Sequence, residues 1–273
     1  MKLYQLSIFW AVKVALHLVS SEKRSGFESR IHNGTAAKIG QFPWQAYLDV
    51  DLRDSYVKEG GAALISNKWL LTAAHCVSDA INITVVLGTT LRGGQDPSAF
   101  RTKTNEFYIH ENYNNVTLDN DIALIKMKIA VTFTRNITAI PLGGYLEEFV
   151  SVTVSGWGDT RQDLSEGMEM SDILYYTELT AIPNDLCIQL RNDSINEKQV
   201  CTISDGTSGA CRGDSGGPLV RLVNGTWTHV GIVSFGTGFN CSLPTGYIRT
   251  DSYREWIKST MKKHSKKCSF KKL

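Results

Sequence analysis

No stretch of this chain reaches the roughly 18 consecutive apolar residues that a bilayer-crossing helix requires, so an integral membrane protein is not expected. Cys-x-x-Cys pairs and histidine clusters are also missing, which leaves the six cysteines without zinc-site spacing. Proline is scarce, 6 against 23 glycines in 273 residues, and 42% of residues are hydrophobic and 21% charged. That balance excludes disordered, collagen-like and coiled-coil chains. A large charge of one sign is absent as well, the net being +2. The charge is unevenly spread, however. Residues 1–30 carry five bases and two acids, residues 262–273 carry six lysines and no acid, and residues 31–261 carry 18 bases against 25 acids. An acidic body with a short basic tail is not the footprint of a nucleic-acid-binding domain. The length suits one large all-β domain or two ordinary ones.

What is present begins with a leader. Lys2 precedes a mostly apolar stretch from Leu6 to Val19, interrupted by Lys13 and His17 and followed by Ser20 and Ser21. A basic start, a greasy centre and small residues at the end predict a secretory signal peptide over residues 1–21, in preference to a buried N-terminal helix. Export makes the chain extracellular and its cysteines candidates for disulfides. Seven Asn-x-Ser/Thr sequons, at Asn33, Asn82, Asn115, Asn136, Asn192, Asn224 and Asn240, then become acceptors of which a few are expected to carry glycans.

Beyond residue 40, short apolar-alternating runs recur at Trp44–Val50, Ala62–Ile65, Ile83–Leu87, Ile122–Met127, Val150–Ser155, His229–Phe235 and Gly246–Thr250. Gly, Asn and Asp turn signals separate them, which predicts an antiparallel β protein of sandwich or barrel type. Only the last run, Ser252 to Met261, has helical spacing, with Tyr253, Trp256, Ile257 and Thr260 on one face. It predicts a closing helix packed on the body. Arg135–Pro141 reads as a connection between two similar halves, with the junction near residues 130–140.

Three segments carry chemistry. Gly213-Asp214-Ser215-Gly216-Gly217-Pro218 places a serine between glycines that allow a sharp turn and close approach of a substrate. Such a loop can aim backbone N–H groups at one spot, and by itself it also reads as a plain structural turn. A serine hydroxyl is a poor nucleophile without a base. Leu71-Thr72-Ala73-Ala74-His75-Cys76 supplies a histidine set between small alanines and a cysteine. Asp119-Asn120-Asp121-Ile122-Ala123-Leu124 feeds a carboxylate into an apolar strand, where a buried acid needs a partner.

These segments, with Ser155–Gly158 (SGWG) and Val233–Gly236 (VSFG), occur in the order and spacing of the chymotrypsin-like serine endopeptidases. The chain resembles that family over residues 31–260, with the flavour of the insect chymotrypsins and collagenolytic brachyurins. The resemblance implies an all-β fold of two antiparallel six-stranded barrels, the active site between them, and a protease domain spanning residues 31–261. It implies Ser215 as nucleophile, His75 as base then acid, Asp121 as the partner that orients His75, and the N–H groups of Gly213 and Ser215 as oxyanion donors. Ser234, Phe235 and Gly236 would pair with substrate backbone as an added strand. Cleavage after Arg30 by a trypsin-like activator would remove a propeptide at residues 22–30 and free the Ile31 amine to pair with Asp214.

The same resemblance places Gly209 at the base of the primary pocket, Gly236 at its open entrance and Thr245 reaching towards its base. With no aspartate at Gly209, the expected pocket is uncharged and accepts apolar side chains, chymotrypsin-like or shading to elastase-like. Arg212 stands open between favouring acidic residues near the cut and being a solvated surface group. Cys187–Cys201 and Cys211–Cys241 match two family disulfides. A third is broken, because Gly60 stands where the partner of Cys76 would be. Cys76 and Cys268 are left to pair with each other, which we favour, to pair between molecules, or to stay free. No cofactor and no metal are implied, since Leu91–Asn105 lacks the spaced acidic pair with which some relatives bind calcium.

The expected activity is therefore hydrolysis of protein substrates by a secreted, monomeric serine endopeptidase made as a zymogen, with no nucleic-acid or membrane partner. The basic tail, residues 262–273, reads as a solvated mobile end or, more sharply, as a contact for anionic glycans. A catalytically silent relative acting as a binding or regulatory module is the alternative. It sits poorly with a chain that keeps Ser215, His75, Asp121, Asp214 and Arg30 together.

Overall fold

The computed structural model describes residues 34–53, 55–159, 169–204, 208–236, 241 and 244–265. The leader, Arg30, Ile31, Cys268 and the sequons at Asn33 and Asn240 lie outside them. The described chain is all-β with three short helices. In order it runs β1 (Thr35–Ala36), β2 (Gln45–Leu52), β3 (Val57–Leu64), β4 (Trp69–Thr72), α1 (Ala74–Val77), β5 (Ala80–Leu87), β6 (Phe100–Thr104), β7 (Phe107–Ile109) and β8 (Ala123–Lys126). After a crossing segment come β9 (Ser151–Gly156), β10 (Tyr175–Ile182), α2 (Asn184–Arg191), β11 (Gln199–Ile203), β12 (Pro218–Val223), β13 (Thr226–Phe235), β14 (Thr245–Arg249) and α3 (Arg254–Ser265).

Every named strand pairing is antiparallel. The first sheet has the order β6-β5-β2-β3-β4-β8-β7. The second has the order β1-β10-β11-β14-β13-β12-β9, and β9 also pairs with β10, which closes six of its strands into a barrel. The two halves are thus less alike than two equal barrels. The second closes on itself, whereas the first has seven strands with no ladder joining β6 to β7 among the described residues.

Each expected run falls on a strand, because alternation puts one face of each pleat into a core. Leu48, Ile83, Val85, Leu124 and Ile125 in the first half are fully buried, as are Val154, Leu219 and Ile232 in the second. Each such side chain contributes about 1.5–3 kcal/mol relative to exposure. The halves share one apolar cluster, in which Val220, Ile232 and Ile248 of the second join the strands of the first. They are also stitched by polar contacts. Ser155 Oγ donates to Gln45 Oε1 at 2.8 Å, Trp157 Nε1 donates to the Thr90 carbonyl at 2.9 Å, and Gly61 N donates to the Ser215 carbonyl at 2.8 Å. The crossing occurs where Ile140 N bonds the Leu64 carbonyl of β3 and Gly143 N bonds the His229 carbonyl of β13.

Helix α3 packs as its pattern demands, with Ile257 buried and Trp256 half-buried, and Tyr253 in the turn just before it is buried as well. It runs further than the apolar face alone suggests. Lys262, Lys263 and His264 continue it to Ser265, so the basic tail starts as helix rather than as a mobile end. Cations suit a helix C-terminus, and the His264 ring stacks on Tyr108 at 3.8 Å.

Candidate active site

Three segments meet where the halves join. Helix α1 begins straight after β4, and the fully buried Ala73 and Ala74 let its backbone sit tight against the sheet, which presents His75 at the surface of the first half. Asp121 ends the loop before β8. Asn120 turns the chain there with φ 55°, and the Asp121 carboxylate is fully buried. Three donors satisfy that carboxylate. His75 N reaches Oδ1 at 2.8 Å, His75 Nδ1 reaches Oδ2 at 2.7 Å, and the Ser234 hydroxyl donates to Oδ2 at 2.6 Å. The imidazole is therefore held with Nδ1–H towards Asp121, which leaves Nε2 as the basic nitrogen. Lys58 Nζ donates to the His75 carbonyl at 2.8 Å and ties the same residue from β3.

Ser215 sits on the turn into β12. Gly213 at φ 95° and Gly216 at φ 78° adopt backbone that L side chains rarely take. A side chain at Gly216 would also collide with the Thr72 hydroxyl and the Gly61 carbonyl, so β3 and β4 press directly on the loop. In this loop the amides of Asp214, Gly216 and Gly217 are used by the carbonyls of Cys211, Val233 and Asp214. Among the described residues those of Gly213 and Ser215 have no such acceptor, which leaves two neighbouring N–H groups available to an anion.

Ser215 lies at the mouth of a cavity of about 150 Å³ lined by Ala210, Phe235, Gly236, Cys241 and Thr245 among others. Among the described residues a Cβ at Gly236 would meet nothing within 4 Å, and Thr245 is buried in the wall. Gly209, expected at the pocket base, abuts the backbone opposite: a Cβ there would run into the Cys241 carbonyl, and its neighbour Ala210 lies on the lining. The Cys211–Cys241 disulfide that draws the two segments together is present, as is Cys187–Cys201 between α2 and β11.

Arg212 also lines the cavity, where its guanidinium lies 3.7 Å from the carboxylate of the buried Asp159. Asp214 is buried among Gly156 and Gly158, whose Cα atoms leave room only for its carboxylate. It accepts from Gly158 N and Cys211 N at 2.8 Å each, and burial, reinforced by Asp159, still pushes its pKa up to about 6. A buried carboxylate in that condition calls for a cation.

Two features were out of reach of the sequence reading. The Ser234 hydroxyl, expected only to lie on the substrate strand, is a ligand of Asp121. Among the described residues Cys76 is a free thiol, 1% exposed, whose Sγ lies 3.5 Å from His75 Nε2, and its favoured partner Cys268 lies outside them. Among the described residues that nitrogen is within hydrogen-bonding distance of Cys76 and not of Ser215 Oγ. Catalytic hydrogen bonds are often loose before substrate binds.

Burial opposes the charged imidazolium, yet Cys76 and Asp121 together hold the His75 pKa above its ordinary value. A base works only when unprotonated, so the acid limb of kcat/KM should lie at correspondingly raised pH, activity falling as pH drops through it. Cys76→Ala removes the sulfur and should move that limb to lower pH. A pH–rate profile superimposable on that of the parent would refute this role for the sulfur.

The trypsin family profile matches residues 31–257. Collagenase of Hypoderma lineatum is 39% identical over 238 residues, which cover 84% of this chain and 86% of the collagenase. Vitamin K-dependent protein C of Rattus norvegicus is 36% identical over 240 residues, 84% of this chain but 51% of the relative, so the chain spans about half the length of that protein. A solved structure of HL collagenase matches with a TM-score of 0.75 at 38% identity, covering 84% of this chain and 98% of that one. Fold, site and relatives define a serine endopeptidase. The chain belongs to the trypsin family.

Proposed function

We propose that this chain is a secreted endopeptidase, made as a zymogen, that cleaves after apolar residues through Ser215, His75 and Asp121. The observation that carries the reading is the buried Asp121 with His75 and Ser234 bound to it, beside a serine on a cavity whose lining, among the described residues, bears no carboxylate. Ser215 Oγ attacks the scissile carbonyl as its proton passes to His75 Nε2. The resulting oxyanion is met by the Gly213 and Ser215 N–H groups. The C–N bond breaks as His75 returns the proton to the leaving amine, and water, activated the same way, hydrolyses the acyl ester. The substrate is a protein chain laid along Ser234–Gly236. The basic residues 262–273 would add contacts to anionic glycans, and deleting them would then weaken heparin retention.

Activation follows from Asp214. Cleavage after Arg30 by a protease selective for basic residues would free the Ile31 amine, a cation of the kind the buried carboxylate calls for. The sign of the pH effect is fixed by the raised pKa. A carboxyl easier to protonate in the folded than in the unfolded chain adds stability at pH below its unfolded value, and that stability is lost as pH rises through about 6. The uncut chain should therefore lose melting temperature between about pH 4 and 6, and the chain beginning at Ile31 should lose much less. Identical pH–melting curves for the two forms would contradict pairing at Asp214.

The deciding assay cuts the secreted chain with trypsin, verifies Ile31 as the new N-terminus, and offers amide substrates ending in Phe, Leu, Ala or Arg alongside a Ser215→Ala control. Turnover of Phe or Leu only after the cut, absent from the control, is the expected result. A dominant Arg preference would overturn the uncharged pocket. Silence on all four with a correct N-terminus would favour the binding-module alternative.

A further inference from the structure

A larger cavity, about 510 Å³, lies beside the one at Ser215 and shares Phe235 with it as a common wall. Its other walls come from the Val116–Asp119 loop, which precedes Asp121, and from the Asp193–Asn196 segment that follows α2. Its surface combines aliphatic and acidic character. Leu118 and Ile195 are partly buried and Val116 is 86% exposed, while Asp119 and Asp193 are its two charged groups.

The acids are not equivalent. Asp193 forms an ion pair with Arg191 at 3.3 Å, and the Arg191 guanidinium is itself anchored to the Pro244 carbonyl at 2.6 Å and stacked over Phe235 at 5.1 Å. That negative charge is already answered. Asp119 is held, among the described residues, by neutral donors only: Thr117 Oγ1 at 2.8 Å and Asn196 Nδ2 at 2.6 Å. These bonds fix the carboxylate in place without cancelling its charge. The backbone on either side, Leu118 at φ 55° and Asn120 at φ 55°, is also held in the left-handed region, so the acid is presented by a tightly turned loop.

We propose, on the reading that peptides are cut at Ser215, that this groove is a second specificity subsite selecting lysine or arginine upstream of the cut residue, with Asp119 as the determinant. A peptide paired with Ser234–Gly236 as an added strand sends successive side chains to opposite faces. One side chain fills the cavity at Ser215. A chain continuing past Phe235 brings a residue about two to three positions further upstream over the larger groove. A basic side chain suits both parts of it, the methylene stem lying on Leu118, Ile195 and Phe235 and the cation reaching Asp119. A glutamate there would face an unanswered negative charge. The substrate class so defined is a segment with a basic residue a short distance before an apolar one. The 18 bases and 25 acids of residues 31–261 give such segments an attractive overall field as well.

The test uses the activated full chain and peptide amides with a fixed Phe or Leu at the cut, varying each of the three upstream positions among Lys, Arg, norleucine and Glu. At one of them Lys and Arg should exceed norleucine in kcat/KM by about five- to tenfold at low salt, the range of a partly exposed charge pair. The advantage should shrink in about 1 M salt, where the screening length is about 3 Å. Asp119→Asn should reduce the Lys and Arg rates to that of norleucine measured on the same variant, with a thermal melt matching that of the parent to show that it is folded. Equal rates for Lys and norleucine in the parent, or a basic preference that survives Asp119→Asn, would overturn the subsite while leaving the endopeptidase reading intact. Failure to cleave any of these peptides would overturn both.

Discussion

Asp121→Asn is expected to lower kcat by about 10⁴-fold, the loss associated with neutralising the carboxylate of a triad of this type. The reason is specific to the three donors around Asp121. His75 N uses Oδ1, while His75 Nδ1–H and the Ser234 hydroxyl share Oδ2. Asparagine has one oxygen and one NH₂ group. With the oxygen kept at the His75 backbone amide, the NH₂ faces Nδ1 and forces it to accept, which moves the imidazole proton to Nε2. That is the nitrogen that has to take the Ser215 proton. With the amide flipped, NH₂ faces the His75 backbone N–H, donor against donor. Single-turnover kinetics on an apolar amide substrate, with a thermal melt to show that the fold persists, would measure the effect. A loss of less than about tenfold would mean that Asp121 does not set the tautomer.

The second large effect concerns stability. Gly60→Cys should form a disulfide with Cys76. A Cβ built at Gly60 lies 4.0 Å from Cys76 Cβ and 3.6 Å from its Sγ. Disulfide Cβ atoms are about 3.5–4.5 Å apart, so the backbone already has the required spacing. Closing a loop of about 15 residues is worth about 3 kcal/mol, which in a domain of this size is a rise in Tm of roughly 6–12 °C. The Ser215 carbonyl at 3.2 Å from the new Cβ must give slightly, which sets an upper bound on the gain. The comparison is the melt of oxidised Gly60→Cys against oxidised Gly60→Ser, which keeps Cys187–Cys201 and Cys211–Cys241 intact in both. Coincident curves, with the bond verified by mass, would mean that the free chain is already as constrained there as a bridge would make it.

How legible the molecule was in its sequence differs by element. His75, Asp121 and the loop around Ser215 could be read directly, because this chemistry tolerates few residue types and the turn tolerates only glycine at Gly213 and Gly216. Strands such as β2, β5 and β13 could be read from their apolar runs and flanking turn residues, although burial in β2 (Gln45–Leu48) and β13 (His229–Ser234) is consecutive because both faces are covered. β10 and β11 could not. The Tyr175–Ile182 strand mixes buried, half-buried and exposed positions without a simple period, since it meets β1, β9 and β11 at once. Helix α2 buries only Cys187 and so shows no apolar stripe. The close approach of Gly209 to the Cys241 carbonyl could not be read either, because it depends on where the Cys211–Cys241 bridge sets that carbonyl, a tertiary outcome. The part played by Ser234 was hidden for a simpler reason. Periodicity says which face a side chain is on, not what waits for it there.

The contacts around the start of α3 have a consequence for the acid. Tyr253 Oη donates to Asn120 Oδ1 at 3.0 Å and Trp256 Nε1 to Glu111 Oε2 at 2.9 Å, so the residues entering α3 and its first turn hold both ends of the loop that delivers Asp121. The acid belongs to the first half, but its loop is braced by residues that follow β14 of the second. A change at either aromatic therefore loosens a carboxylate that neither residue touches.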